Sequence, residues 1–373
     1  MSRRPRLPLF GVPNTAGEVQ ALGPVLASGQ LAGGPLVAEF EARLAAMHDA
    51  PACIATSDGQ GALSIGLRAL GIAPGDEVAL SPMTCTATAM PVAMVGARPR
   101  WLDVDPQTGM PGPDQLADGI GPETKAVILY HWSGDVGDLS AYAEICRERG
   151  AALIQEASEA WGATCRDRPL GAYGDATVLS FYATRALSTG DGGAVLLSDL
   201  ALADRARRLR RFGIEQRSFR LASGDLNPAS DIPEASGNHQ MTSLCAALGL
   251  RQLDSAEARV HRHREHGLSY DRALRGIPGL TLLRRPDTCK SSYWTYSFRA
   301  ERRDDLVHKL TERGIGAQRL HVRVDNYRCF AETRRGGLDG VALFDRENIA
   351  IPCGWWLPDA ARDEIVACLK SGW

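Results

Sequence analysis

Lysine is scarce in this chain: of 42 basic residues only Lys125, Lys290, Lys309 and Lys370 are lysines, and the rest are arginines. Any chemistry that needs a neutral primary amine can draw on those four positions alone. Arginine is no substitute, because its guanidinium stays protonated and its lone pair is delocalised. An excess of either charge is also missing, with 42 basic against 44 acidic residues and a net charge of −2. That balance gives no electrostatic footing for nucleic acid, and the one dense basic run, RARRLRRF at 205–212, reads as a solvated helix face. No run of about 18 uncharged apolar residues occurs, which argues against a membrane-spanning helix. The opening MSRRPRLPLFGVPNT carries basic clusters but no apolar signal region, so the cytoplasm is the expected compartment. The nine cysteines include no CxxC pair, which speaks against a zinc site or a disulfide framework and leaves most of them as small buried hydrophobes.

What the chain does have is length and alternation. Its 373 residues, 44% of them hydrophobic, suffice for a large core and a smaller lobe. Short apolar runs at 52–57, 77–82, 98–105, 125–132, 151–157, 176–182 and 193–199 alternate with amphipathic stretches such as ALSIGLRALG and LSAYAEICRERG. Strand and helix repeated in this way predict an α/β domain with a doubly wound, mostly parallel sheet, and a ligand site at the carboxyl ends of its strands. After about Met241 the pattern changes to a long helical tract and then to short strands with helices beside them, which reads as a smaller α+β lobe. The expected division is a large domain with its N-terminal segment over residues 1–250 and a small C-terminal domain over 251–373. The segment at 220–240, rich in Gly, Pro, Ser, Asn and Asp, reads as a long loop.

Several motifs carry chemistry. SDGQGAL follows a strand and opens a helix, so the N–H groups of Gly59, Gln60 and Gly61 could cradle a phosphate at the positive end of the helix dipole; a plain tight turn is the alternative. QEASEAWGA places Glu156 and Glu159 near a strand end, where clustered carboxylates raise one another's pKa unless a cation lies between them. SFYATRALSTGDGGAV begins at Ser180 and carries Arg185, and GNHQM contains Asn238, which as a loop residue could simply cap. PMTCTAT contains Cys85, and YHWSGD contains His131. HRHREH puts His261, His263 and His266 within six residues; the set lacks a convincing ligand shell, and a solvated helix face is the expected reading.

These stretches, in this order, together with LPLFGVPNT near the start and FDRENIAIPCGWWLPDAARDEI near the end, resemble the DegT-type (StrS-like) sugar aminotransferases, fold type I enzymes that use pyridoxal phosphate (PLP). The resemblance implies a fold type I architecture and a homodimer with a shared active site. It assigns Gly59, Gln60, Gly61, Cys85 and Ser180 to cofactor binding, Asn238 to the neighbouring subunit's phosphate, and Glu156 to the cofactor's ring nitrogen. Gln60 stands where the family has threonine, Glu156 where it has aspartate, and Glu159 where it has histidine or glutamine.

The decisive departure is Arg185, at the position of the family's Schiff-base lysine. That lysine must lose its charge to bond PLP and to carry a proton, which arginine cannot do. None of the four lysines is placed to replace it. Three readings follow. The protein is an unconventional enzyme holding PLP or its amine form (PMP) non-covalently and using another base, with His131 and His239 as candidates. Or the cofactor is gone, and Arg185, paired with Glu156 and Glu159, offers an anion site for a substrate phosphate or carboxylate. Or the chain is an inactive paralogue acting as a partner subunit, or a conventional aminotransferase carrying a lysine-to-arginine variant. The expectation on balance is an unconventional enzyme of sugar or natural-product biosynthesis acting on a sugar-like or phosphorylated ketone, with Arg185, Glu156, Glu159 and His131 as its catalytic set and no metal.

Overall fold

A computed structural model describes residues 5–13 and 16–373. Residues 1–4, 14 and 15, which include the end of the LPLFGVPNT motif, lie outside the described residues. All seven expected strands are present: β1 (Ala52–Thr56), β2 (Glu77–Leu80), β3 (Arg98–Trp101), β4 (Thr124–Tyr130), β5 (Ala152–Glu156), β6 (Ala176–Ser180) and β7 (Gly193–Leu197). They form one sheet in the order β1-β7-β6-β5-β4-β2-β3. Pairing is parallel from β6 to β3, whereas β7 runs antiparallel to both β1 and β6. The third strand stops at Trp101, short of the expected 98–105, because Asp105 turns back to pair with Met110.

Every residue of β1 and of β7 is buried, which is why these strands read as near-continuous apolar runs. Alternation divides the sheet between two cores. Ile54, Val78, Ile128 and Tyr130 pack on one face, and Cys53, Ala79, Val127 and Leu129 on the other. The same pleat separates neighbours that look equivalent in sequence: Tyr130 and His131 point to opposite sides, as do Gln155 and Glu156.

A helix at Ser243–Ala273, opened by the Thr242 hydroxyl accepting from Cys245 N–H at 3.2 Å, leads to a three-stranded antiparallel sheet of β8 (Leu280–Leu282), β9 (Tyr296–Ala300) and β10 (Asn348–Ile351). This sheet has its own core, with Phe298, Leu306, Ile349, Ile365 and Leu369 among its members. Between β8 and β9 the chain returns to the large sheet's neighbourhood. Cys289–Lys290 pairs with Thr164–Cys165, and half-buried Arg285 bridges Asp135 at 2.7 Å and Asp271 at 3.0 Å. Those contacts fix the path of the strap that ends in Tyr293 and Trp294.

The long helix corrects the reading of the histidine cluster. His263 and His266 are fully buried, and His263 Nδ1 lies 2.7 Å from the Tyr293 carbonyl oxygen, while His261 alone faces solvent. Their spacing of three residues puts both on the packed side of the helix. The Gly- and Pro-rich segment at 220–240 is a loop, as expected.

Candidate active site

A cavity of about 630 Å³ opens at the carboxyl ends of β4, β5 and β6, where Tyr130, Glu156 and Ser180 stand. Its size falls within the usual range for small-molecule sites. The helix Gly59–Ala69 points its first turn at one end. Phe10 and Trp294 close the side toward the small lobe, stacked with ring centroids 4.9 Å apart.

At the helix end, Asp58 is the N-cap, and its carboxylate accepts the Gly61 N–H at 2.6 Å. Gly61 is therefore already satisfied, which corrects the expectation of three free donors. Gly59 and Gln60 precede the first intrahelical bond, from Ala62 N–H to the Asp58 carbonyl, and keep their N–H groups for a ligand. A Cβ on Gly59 would come within 3.2 Å of Ser180 Cβ, so glycine allows the helix start to approach the strand end that carries the hydroxyl. The Gln60 amide donates to Met94 Sδ at 2.9 Å rather than turning inward. Cys85 caps the helix Thr86–Met94 and lines the cavity, with its thiol pKa raised by burial first and by Glu156 and Glu159 further.

At the opposite end the two glutamates behave differently. Glu156 lines the cavity; one oxygen accepts from the Ser158 hydroxyl, and Oε2 is buried with no partner among the described residues. Burial raises its pKa to about 7 against the opposing pull of Ser158 and Arg185. Glu159 is fully buried but well partnered. Its Oε2 accepts Ser133 N–H at 2.8 Å, and its Oε1 lies 3.1 Å from His321 Nε2 and 3.7 Å from Arg185 Nη1. Burial pushes its pKa up, yet the His321 bond and charge, Arg185 and Tyr130 together hold it below the ordinary carboxylate value.

Arg185 sits in the turn after β6 and lines the cavity, its guanidinium carbon 4.0 Å from the centroid of the Trp294 ring. Its Nε and Nη1 have no hydrogen-bond partner. The expected pairing with both glutamates is thus reduced to Glu159, because no ion pair within 4.0 Å joins Arg185 to Glu156 among the described residues. No lysine lines the cavity: Lys290 pairs with Asp167 at 2.5 Å, and Lys309 donates to the Cys368 carbonyl at 2.9 Å.

Two expected members lie elsewhere. His131 falls on the other side of the pleat, fully buried, with Nε2 3.2 Å from Gln155 Oε1, and burial lowers its pKa to about 4. Asn238 is exposed outside the cavity, its side-chain oxygen accepting Gln240 N–H at 3.3 Å. His239, beside it, packs against Gly61 rather than into the cavity. Conversely, Tyr130, Trp294 and His321 were missed as site residues. Tyr130 Oη is 2.8 Å from His321 Nε2, a contact spanning 191 positions that no local pattern announces.

A family description, the DegT/DnrJ/EryC1/StrS aminotransferase family, matches residues 14–370. The chain belongs to this family. It is 36% identical over 306 residues to the dTDP-4-dehydro-2,3,6-trideoxy-D-glucose 4-aminotransferase of Saccharopolyspora spinosa, a match covering 80% of this chain and 79% of that relative. Among solved structures it superposes on the sugar aminotransferase CalS13 of Micromonospora echinospora with a TM-score of 0.93 at 33% identity, covering 98% of this chain and all of that one. DesV of S. venezuelae, solved in complex with a ketimine intermediate, gives a TM-score of 0.91 at 28% identity over 98% of both chains. The fold is that of the fold type I aminotransferases, with a mostly parallel central sheet.

Proposed function

We propose that this member of the sugar aminotransferase family holds PLP or PMP non-covalently and acts on a sugar-like ketone without lysine-mediated amine exchange. The observation that carries the reading is the buried, unpartnered oxygen of Glu156 on the cavity wall. An arginine that had taken over a vacated pocket would be expected to satisfy it, since an unpaired buried acceptor costs on the order of 1–3 kcal/mol. Arg185 instead turns to Glu159 and Trp294, leaving Glu156 for an N–H donor from a ligand.

The remaining residues suit the same group. Gly59 and Gln60 N–H with the Ser180 hydroxyl form a phosphate cradle at a helix N-terminus. A cationic ring N–H beside Glu156 would draw its pKa back down and hold it as the carboxylate. When bound, the cofactor supplies an electron sink. The chain's own residues fix its two ends, and Phe10 and Trp294 limit water. Arg185 stays cationic throughout, so it can pair and orient but cannot shuttle a proton. The name and bound state of DesV and the named activity of the Saccharopolyspora relative support a cofactor of this type and a sugar substrate. The exposed position of Asn238 suits a homodimer in which it serves the neighbouring subunit's phosphate site.

Titration with PLP and with PMP, followed by fluorescence and by melting temperature, tests the reading. Saturable binding with a concentration-dependent rise in melting temperature is expected for at least one form. Binding of neither overturns it, and glutamate-dependent amination of a keto sugar at an ordinary rate would restore conventional transamination.

A further inference from the structure

Resting on that reading, we propose that Tyr130 is the acid–base group of the cavity, with His321 as the residue that exchanges its proton and Glu159 as the carboxylate that positions His321. Tyr130 ends β4, its side chain lines the cavity, and its hydroxyl lies 2.8 Å from His321 Nε2. The same nitrogen lies 3.1 Å from Glu159 Oε1. Tyr130 and Glu159 therefore meet at one ring nitrogen of His321, between the cavity wall and a buried carboxylate that is anchored at its other oxygen by Ser133 N–H. Its second neighbour, Arg185, contributes a fixed positive charge 3.7 Å from Glu159. His321 is held by edge-on contacts with the Tyr130 and Trp132 rings.

The surroundings of the phenol dictate how such an arrangement can work. Burial, followed by the charges of Glu159, Cys85 and Glu156, makes the phenolate unfavourable, and Arg185 only partly opposes them. A free phenolate would be costly, so the hydroxyl must give up one proton as it gains another. In the delivering direction the Tyr130 O–H bond breaks and its hydrogen moves to an acceptor atom of the bound substrate. The imidazolium Nε2–H bond breaks as that hydrogen passes to the phenol oxygen, leaving a neutral imidazole and an unchanged Glu159 carboxylate. The reverse sequence removes a proton from the substrate and ends as imidazolium facing Glu159. No net charge is left on the tyrosine in either direction. This provides what Arg185 cannot, a hydroxyl at the cavity that can give and regain a proton through a histidine 2.8 Å away.

The test uses the full chain, added PMP and a keto-hexose nucleotide in deuterium oxide, with mass spectrometry following deuterium at the carbons beside the carbonyl and a separate fluorescence titration following PLP affinity. Tyr130→Phe is expected to slow the exchange by 100-fold or more, the usual scale for a positioned acid–base group, while changing PLP affinity less than threefold. His321→Gln is expected to slow it by at least 10-fold with the same unchanged affinity. Exchange within threefold of the parent in Tyr130→Phe overturns the proposal, as does a 10-fold loss of PLP affinity, which would mark the tyrosine as packing. If the parent binds PLP but exchanges no deuterium, the proposal falls and the cofactor reading stands; if the parent binds no PLP, both fall.

Discussion

The two ends of the cavity are built on different principles. At the helix end the cavity meets the main-chain N–H groups of Gly59 and Gln60 together with the Ser180 hydroxyl at the close of β6, arranged by a turn whose cap is the neighbouring Asp58. At the other end, side chains from four distant segments converge, with Glu159 touching His321 across 162 positions and Arg185 stacking on Trp294. The first is a local device whose donors are largely main-chain atoms ahead of the first intrahelical bond. The second depends on the identity of each side chain, Arg185 and Glu159 among them.

The largest test of that contrast is Arg185→Lys. Borohydride reduction in the presence of PLP should add a stable pyridoxyl group to this variant and none to the parent, because only an amine that can shed its proton forms the link. A variant that binds PLP yet gains no mass would show that position 185 is no longer placed for a covalent bond.

Glu156 gives the next largest effect. Its folded carboxyl titrates at about 7 against an ordinary 4.5, so between those values the native chain holds a proton that the unfolded chain has lost. This contribution is complete below about pH 4.5 and is lost as pH rises through 7. In urea unfolding without cofactor, the parent should lose about 3 kcal/mol relative to Glu156→Gln between pH 4.5 and pH 8. An unchanged gap between the two proteins would mean that Glu156 is already ionised and partnered. Glu159, held low, has the opposite sign: its contribution is present above the ordinary carboxylate range and disappears on acidification.

Smaller effects belong to the helix end. Ser180→Ala should weaken PMP binding by roughly 5- to 10-fold, the loss of one hydrogen bond to a charged acceptor. Gln60→Ala should change it less than threefold, since the amide is engaged with Met94 and the backbone donors remain. A larger effect at Gln60 than at Ser180, read by fluorescence titration, would invert the comparison.

The same division explains what could be read from the sequence. The seven strands, the long helix and the helix-end motif were legible because each rests on local periodicity or a turn signal, and Glu156, Ser180 and Arg185 stand on the cavity as expected. The choice of His131 failed by one residue of pleat: adjacent positions at the end of β4 face opposite layers, and Tyr130 received the cavity side. Gly61 is no free donor, because the Asp58 carboxylate three residues earlier accepts its N–H as the helix N-cap, a local signal already present in the motif. Trp294 and His321 come from a C-terminal strap and loop whose courses are set by long-range contacts such as Arg285 with Asp135. Among the scattered histidines and aromatics, nothing local distinguishes these two.

The most direct measurement is the intact mass of the unsubstituted chain after saturation with PLP, borohydride reduction and denaturation. Full occupancy by fluorescence before denaturation and no added mass afterwards is the predicted result. One pyridoxyl group fixed per chain would contradict it.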